Sequence, residues 1–121
     1  MEGFETTGFW EALDQLVSEC PPHIDRPKGS RHPNYPELIY PLDYGYLQGS
    51  TAVDGGGVDV WCGESAEEDI VGVILTVDLY KKDAEIKVLI STSETEICAI
   101  MDFHARMAPL LVRRPSTRQE P

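Results

Sequence analysis

Four aspartates at predicted turns and strand ends are the residues of this chain whose types and spacing could do chemistry. Asp54 and Asp59 flank three consecutive glycines in VDGGGVDVW, and Asp78 and Asp83 enclose the segment LYKK. If the strands beside them are neighbours in a sheet, the four carboxylates gather at one end of that sheet. Hard cations such as Mg²⁺ prefer oxygen ligands, so the pattern indicates a divalent metal site. The alternative is that these are ordinary turn residues beside glycine.

A basic and tyrosine-rich stretch precedes the acidic residues. Arg26, Lys28 and Arg31 are followed by Tyr40 and Tyr44. Cationic groups and phenolic hydroxyls are the groups that orient a small polyanion over bound metal ions. The alternative is that the cations are solvated loop residues and the tyrosines are half-buried strand residues.

The composition narrows the class of partner and the compartment. The chain has 121 residues and a formal net charge of −11, which argues against nucleic acid or an anionic membrane as its partner. Its three scattered cysteines predict reduced thiols in the cytoplasm. The N-terminal segment MEGFETTGFW lacks the pattern of a signal peptide, and no apolar run approaches the roughly 18 residues of a membrane span.

The elements that must position these residues are predicted from periodicity. Apolar residues at helical spacing predict a helix over 9–18, and Ser93 with Glu96 forms a capping box that begins a second helix over 93–106. Between them, β-branched runs bounded by proline, glycine and charge predict short strands over 22–90. The order indicates one α+β domain over 1–121, a small closed or half-closed barrel with the helices packed outside. A loose tail is predicted over 115–121.

Three segments resemble, in order, motifs of the soluble (family I) inorganic pyrophosphatases. Tyr40-Pro-Leu-Asp-Tyr44-Gly-Tyr46 is similar to that family's Tyr-Pro-x-Asn-Tyr-Gly-Tyr. Asp54-Gly-Gly-Gly-Val-Asp59 is similar to its signature Asp-Gly-Asp-Pro-x-Asp. The segment from Asp78 to Asp83, followed by alanine, is similar to its later aspartate pair. Together the three segments lie within residues 24–90.

The resemblance implies a five-stranded OB-like β-barrel that hydrolyses pyrophosphate, or a related small phosphoanhydride, to phosphate with Mg²⁺ or, as an alternative, Mn²⁺. In a hydrolase of this kind the bound ions lower the pKa of a water molecule and clamp the phosphate oxygens. Family members are often oligomeric, so a homo-oligomer stays open. The roles that the resemblance implies are metal binding by Asp54, Asp59, Asp78 and Asp83, catalysis by Asp59 and Tyr44, phosphate binding by Tyr40 and Tyr44, and a place at the cavity edge for Asp25. Phosphate binding is also predicted for Arg26, Lys28 and Arg31, as substitutes for an arginine of the family site, and for Lys87, which lies two residues beyond the position of a family lysine.

The chain departs from the family pattern at three positions. Gly56 stands where the family has the aspartate that helps hold and activate the nucleophilic water, and Gly57 replaces the proline that follows it. Glu85 stands at a family lysine, with Lys87 two residues further on. Asp43 and Glu85 are the candidates to replace the missing carboxylate, and the sequence shows this for neither.

Three hypotheses follow for the function. The first is a Mg²⁺-dependent inorganic pyrophosphatase. The second is a catalytically impaired pyrophosphatase-like domain that binds metal-phosphate ligands or a protein partner. The third is an acidic globular domain in which the glycine loop is only a turn.

Other residues that often carry chemistry are predicted to be structural. His23, His32 and His104 have no metal-ligand spacing and are predicted to be surface or capping residues. Cys62 lies in a predicted core strand, which indicates an inert thiol.

Overall fold

Two α-helices and six strands make up most of the regular structure of residues 8–115, the part of the chain that this computed structural model describes. Beyond Pro115, the predicted tail lies outside the described residues. None of the helices within 8–115 is long and apolar enough to cross a membrane. In chain order the elements are α1 (Phe9–Glu19), β1 (Pro22–Arg26), β2 (Asp43–Leu47), β3 (Asp59–Cys62), β4 (Ile70–Asp78), β5 (Asp83–Ile90), α2 (Glu94–Phe103), a 3₁₀ turn (Ala105–Met107) and β6 (Leu110–Arg113).

The strands form one sheet in the order β1-β2-β3-β5-β4-β6. Strand β3 runs parallel to β5, and every other neighbouring pair is antiparallel. The predicted α+β class is confirmed. The five-stranded OB-like barrel is not confirmed, because the described sheet is open and has six strands. Closing the first five strands would require β4 to pair with β1, and β6 occupies that edge of β4 from Gly72 to Leu75.

Each face of the sheet buries apolar side chains beneath one helix. Successive side chains along a strand point to opposite faces, and the β-branched runs therefore supply two cores. One set packs against Leu13 of α1 and includes Leu47, Val60, Val73 and Val88. The other packs against Ile97 and Ile100 of α2 and includes Trp61, Ile74 and Leu89.

Helix α2 begins as the sequence predicts. The Ser93 side chain accepts the backbone N–H of Glu96, and the Glu96 carboxylate accepts the backbone N–H of Ser93. This reciprocal capping box satisfies two of the N–H groups that a helix start leaves unpaired. It sets where α2 starts and thereby which of its side chains cover the sheet.

Candidate functional site

A buried ammonium group on the α2 face of the sheet is the centre of the candidate site. The Lys87 side chain is only 4% exposed, and its Nζ donates to Asp59 Oδ2 at 2.8 Å and Glu85 Oε1 at 2.9 Å. It also donates to the Tyr44 hydroxyl at 3.1 Å. An ammonium has three hydrogens to donate, so these acceptors use all of them. We name Tyr44, Asp59, Glu85 and Lys87 the Lys87 cluster.

Strand register explains why these residues meet. Asp59 of β3 is the direct Cα partner of Lys87 in β5, and Glu85 lies two residues earlier on the same face of β5. Tyr44 of β2 is the partner of Trp61 in β3, and their ring centroids are 4.6 Å apart. The cluster therefore takes Tyr44 and Asp59 from the first two family-like segments, and Glu85 and Lys87 from the strand that continues the third.

The protonation states within the cluster follow from burial and charge. Burial disfavours the ammonium form of Lys87, but the Tyr44 oxygen and the carboxylates of Asp59 and Glu85 outweigh that effect and raise the pKa of Lys87. For Tyr44, burial disfavours the charged phenolate and raises the pKa. Lys87 therefore remains an ammonium and Tyr44 a neutral phenol near pH 7. With two acidic side chains beside one ammonium, the formal charge of the cluster is negative.

Two of the predicted metal-binding aspartates stabilise the turns in which they lie. Asp54 Oδ1 accepts the backbone N–H of Gly56 at 3.0 Å. Asp78 Oδ1 accepts the backbone N–H groups of Tyr80 and Lys81, each at 3.0 Å. These are the local hydrogen bonds by which aspartate stabilises a turn. At these two positions the structure shows the turn role that the sequence left open.

The remaining two predicted metal-binding aspartates lie apart. Asp83 pairs with Asp78 across the β4–β5 hairpin. It shares a face of β5 with Lys87 but lies four residues before it, which is roughly 13 Å along a strand. Asp59, beside Lys87, is thus separated from Asp83, and within residues 8–115 no group of three or more His, Cys, Asp or Glu is arranged to hold a metal ion. Metal binding by Asp54, Asp78 and Asp83 stays a prediction.

The donors of the Lys87 cluster nevertheless fit Mg²⁺ in their chemistry. Protein sites commonly hold Mg²⁺ by one or two carboxylates, with waters and substrate phosphates completing its shell. The side chains of Asp59 and Glu85 are 28% and 31% exposed. Each side chain is therefore partly exposed to solvent beside a fixed ammonium.

Arg26 is the member of the basic stretch that lies beside the cluster. It is the Cα partner of Tyr44 across β1 and β2. Burial raises the pKa of Tyr40, while Arg26 and Lys87 act in the opposite direction, so both cations lie near the Tyr40 phenol. Asp25, predicted at the cavity edge, is exposed, and its negative charge contributes to raising the pKa of Tyr40. The structure thus brings Arg26 and Tyr40 to the Lys87 cluster.

Lys28 and Arg31 have partners elsewhere. The Lys28 ammonium pairs with Glu64 at 2.8 Å, and its backbone N–H donates to Asp43 Oδ1 at 2.9 Å. Arg31 donates to the backbone carbonyl of Pro36 at 3.0 Å, within its own loop. Neither contact joins these two cations to the Lys87 cluster.

Sequence reasoning missed His32 at this site. Its ring stacks on Tyr40 with a centroid separation of 6.1 Å and an interplanar angle of 3°. Burial lowers the pKa of His32, and the positive charges of Arg26 and Lys81 add to that effect. The only available signal was that His32 lies in the proline-rich segment between the basic residues and Tyr40.

His104 is a capping residue, as predicted, but it is buried. It is the C-terminal cap of α2 and is 2% exposed. Its Nε2 accepts the Trp61 indole N–H at 3.1 Å, and its Nδ1 has no hydrogen-bond partner within residues 8–115. Burial, assisted by the charge of Lys87, lowers the pKa of His104 to about 3. Of the two predicted alternatives, surface or capping, the structure shows the capping role, and the ring is buried because Trp61 and Phe103 pack against it.

Cys62 behaves as the sequence predicts. It is half-buried at the end of β3 and packs against the core beneath α1. Burial raises the pKa of its thiol to about 11, so the thiolate is scarce at neutral pH. This supports the interpretation of an inert thiol.

The glycine loop forms a tight turn in which each glycine has a different environment. Gly55 has φ = +91°, a left-handed conformation that favours glycine. A Cβ on Gly57 would lie 2.8 Å from Tyr46 Cδ2, so neither the family's proline nor alanine fits there. A Cβ on Gly56 would meet only Asp54 Oδ1, at 3.5 Å. The loop therefore has space for a side chain at Gly56, although the chain carries none.

This difference predicts that alanine substitution at the two adjacent glycines has different effects on stability. Gly57→Ala is expected to lower the free energy of unfolding by about 1–3 kcal/mol, because the added methyl group overlaps the Tyr46 ring. Gly56→Ala is the matched control, and it should change that free energy by no more than about 1 kcal/mol. Urea denaturation of both variants measures the difference, and equal stability would contradict the packing at Gly57.

No protein-family model matches the chain, and a search of curated proteins finds no match.

Proposed function

We propose that this chain is a divergent inorganic pyrophosphatase, which hydrolyses pyrophosphate to two phosphates with Mg²⁺. The observation that carries the proposal is that Lys87 binds Tyr44 and Asp59 in one hydrogen-bonded cluster. Tyr44 belongs to the first family-like segment and Asp59 to the second, while Lys87 lies on the strand that continues the third. Segments far apart in sequence thus contribute functional groups to one place.

The strand topology supports a further part of the proposal, that the sheet is arranged as in an OB-fold. The order β1-β2-β3-β5-β4, with β3 parallel to β5, is that of an OB barrel opened between its first and fourth strands.

The three cysteines are free thiols, which supports the proposed cytoplasmic location.

Hydrolysis requires a water molecule to attack phosphorus and a phosphate to leave. Mg²⁺, when bound, supplies charge neutralisation on the phosphate oxygens and lowers the pKa of bound water, and Asp59 is the residue best placed to hold it. The guanidinium of Arg26 neutralises charge on the leaving phosphate. The Tyr44 hydroxyl, kept protonated by its raised pKa, is hydrogen-bonded to Asp59 and so orients that carboxylate. Lys87, whose three hydrogens are used, holds the two carboxylates in place.

The test is phosphate release from pyrophosphate by the full chain, with millimolar Mg²⁺ or with a chelator. Asp59→Asn is expected to lower the rate at least about 100-fold, because it removes the carboxylate charge that would hold Mg²⁺. The substitution changes the side-chain volume little, so the fold should be retained. Asp102→Asn, at an exposed position of α2, is the matched control and should retain the wild-type rate. Release that is independent of Mg²⁺, or equal in Asp59→Asn and wild type, would contradict the proposal.

A second candidate is a domain that binds a metal-phosphate ligand without turnover. Two observations favour it: Gly56 lacks the water-activating carboxylate, and Lys87 has no hydrogen left to donate to a phosphate. Calorimetric titration of Mg²⁺ and pyrophosphate separates the candidates. Saturable binding without phosphate release at high protein concentration would favour binding alone.

A further inference from the structure

We infer that this chain forms a dimer with a second copy of itself by exchanging β6 (Leu110–Arg113), so that β6 of each copy completes the sheet of the other. Exchange of one element between identical chains is a low-cost route to a symmetric dimer, because it reuses contacts that the single chain already makes. The inference goes beyond the proposed function and does not depend on it, since the Lys87 cluster is built from β2, β3 and β5.

The residue that leads into β6 has a strained backbone. Ala108 has φ = +45° and ψ = +59°, a left-handed conformation that is unfavourable for a residue with a Cβ. It is followed by Pro109, and the residue before a proline prefers an extended conformation. Ala108 is exposed, so burial of its methyl group contributes little to offset the strain. Release of β6 allows Ala108 to become extended, which makes Ala108 and Pro109 a hinge.

The sheet contacts of β6 are made with a strand that a second copy also offers. Strand β6 pairs with β4 from Gly72 to Leu75. Gly72 permits a close approach, because a Cβ at this position would lie 2.7 Å from the carbonyl oxygen of Val112. The edge of β4 is therefore shaped to accept β6, from the same chain or from a second copy.

Two consecutive arginines fasten the end of β6 to both helices. Arg113 binds both carboxylate oxygens of Glu94 in α2, and Arg114 binds both carboxylate oxygens of Asp14 in α1. The backbone N–H of Arg114 also donates to the carbonyl oxygen of Val71 at 2.9 Å. These acceptors lie outside the hinge, so the closed monomer and the exchanged dimer form the same bonds.

The equilibrium between the two forms therefore depends on the hinge and on association. Association restricts translation and rotation, which favours the monomer at low concentration. Relief of strain at both hinges of the dimer acts in the opposite direction. We expect the dimer to form at high concentration, and its dissociation constant to respond to the conformational preference of residue 108.

The first experiment measures that dissociation constant by sedimentation equilibrium on the full chain, refolded from urea at up to about 1 mM. Ala108→Gly should weaken the dimer at least about tenfold, because glycine adopts positive φ readily and the closed monomer is then unstrained. Ala108→Val should tighten the dimer, since a β-branched residue tolerates positive φ less well. Lys82→Gly is the matched control. Lys82 also has positive φ, at 63°, but it lies between β4 and β5, so its substitution should leave the dissociation constant unchanged.

Disulfide trapping identifies the exchanged strand. Leu75 and Leu110 are direct partners across β4 and β6, and both are exposed. Copies with Leu75→Cys and copies with Leu110→Cys are refolded together and oxidised, both in a Cys98→Ser background that removes the exposed thiol. A disulfide between the copies should form, because exchange places residue 110 of one copy beside residue 75 of the other. Val53→Cys, at an exposed position, replaces Leu75→Cys as the control for random collision.

A chain that stays monomeric up to about 1 mM would overturn the inference. A dimer that gives no more cross-linking than the Val53→Cys control would overturn it as well, because the copies would then associate through another surface. Equal dissociation constants for Ala108→Gly and wild type would also overturn it, since the hinge would not favour exchange. The trapping experiment changes nothing at the hinge, so it decides the matter even if a hinge variant fails to fold. Hydrolysis of pyrophosphate is measured separately and bears on the proposed function alone, because each copy keeps its own Lys87 cluster.

Discussion

Lys87→Met is expected to lower the free energy of unfolding by about 2–3 kcal/mol, because it leaves two carboxylates without their shared cation. Removing one partner of a fully buried ion pair costs about 3–5 kcal/mol. Asp59 and Glu85 are 28% and 31% exposed, so water compensates part of that cost. Urea denaturation at pH 7 measures the change. The proposed hydrolysis should also fall, since repulsion would separate the two carboxylates.

The same reasoning predicts a rescue. Neutralising the carboxylates by Asp59→Asn and Glu85→Gln in the Lys87→Met background should regain part of the lost stability, because the repulsion and the uncompensated charge disappear. Lys82→Met, at an exposed position, is the matched control and should change stability by less than about 0.5 kcal/mol. If Lys87→Met is as stable as this control, Lys87 does not hold the cluster together.

Acidification is expected to destabilise the fold through His104. Its pKa is 6.5 in the unfolded chain and is lowered to about 3 in the fold, where the ring is 2% exposed. Between these values the unfolded state binds the extra proton, so the contribution of His104 to stability is complete above pH 6.5 and is lost as pH falls towards 3. At pH 4.5 the loss is about 2–3 kcal/mol.

The contribution of His104 is isolated by comparison with His104→Gln. Carboxylates also titrate in this range, so the quantity to measure is the difference between wild type and variant in urea denaturation from pH 4.5 to 7.5. Glutamine cannot take up a proton, so wild type should lose more stability than His104→Gln as pH falls. His23→Gln, at an exposed position of β1, is the matched control. Parallel pH profiles for wild type and His104→Gln would show that the pKa of His104 is the same in the folded and unfolded states, and would contradict this prediction.

Local patterns predicted the parts of the site that depend on neighbours in sequence. Strand β3 begins at Asp59, β4 ends at Asp78 and β5 begins at Asp83, because the change from β-branched residues to turn residues marks those ends. The capping box of Ser93 and Glu96 was also readable, since its two hydrogen bonds span only three residues. These predictions succeeded because each depends on propensity and hydrogen bonding over a few residues.

Whether the four aspartates lie close together could not be predicted from such local patterns. It required a sheet order and a register, and both depend on contacts between distant residues. Parallel pairing of β3 with β5 places Asp59 opposite Lys87, four residues beyond Asp83 on β5. A register in which Asp59 faced Asp83 would have brought two carboxylates together. The observed register brings a carboxylate and an ammonium together instead.

Local patterns in the sequence were enough to predict the α+β class and the strand ends that carry aspartates. Three features depend on the fold: Glu85 and Lys87 join the candidate site, Lys28 and Arg31 pair elsewhere, and His104 is buried. The physical reason is that local propensity sets where a strand begins or ends. Burial and charge pairing depend on which distant strand lies beside it, and core packing chooses among registers whose local sequence is the same.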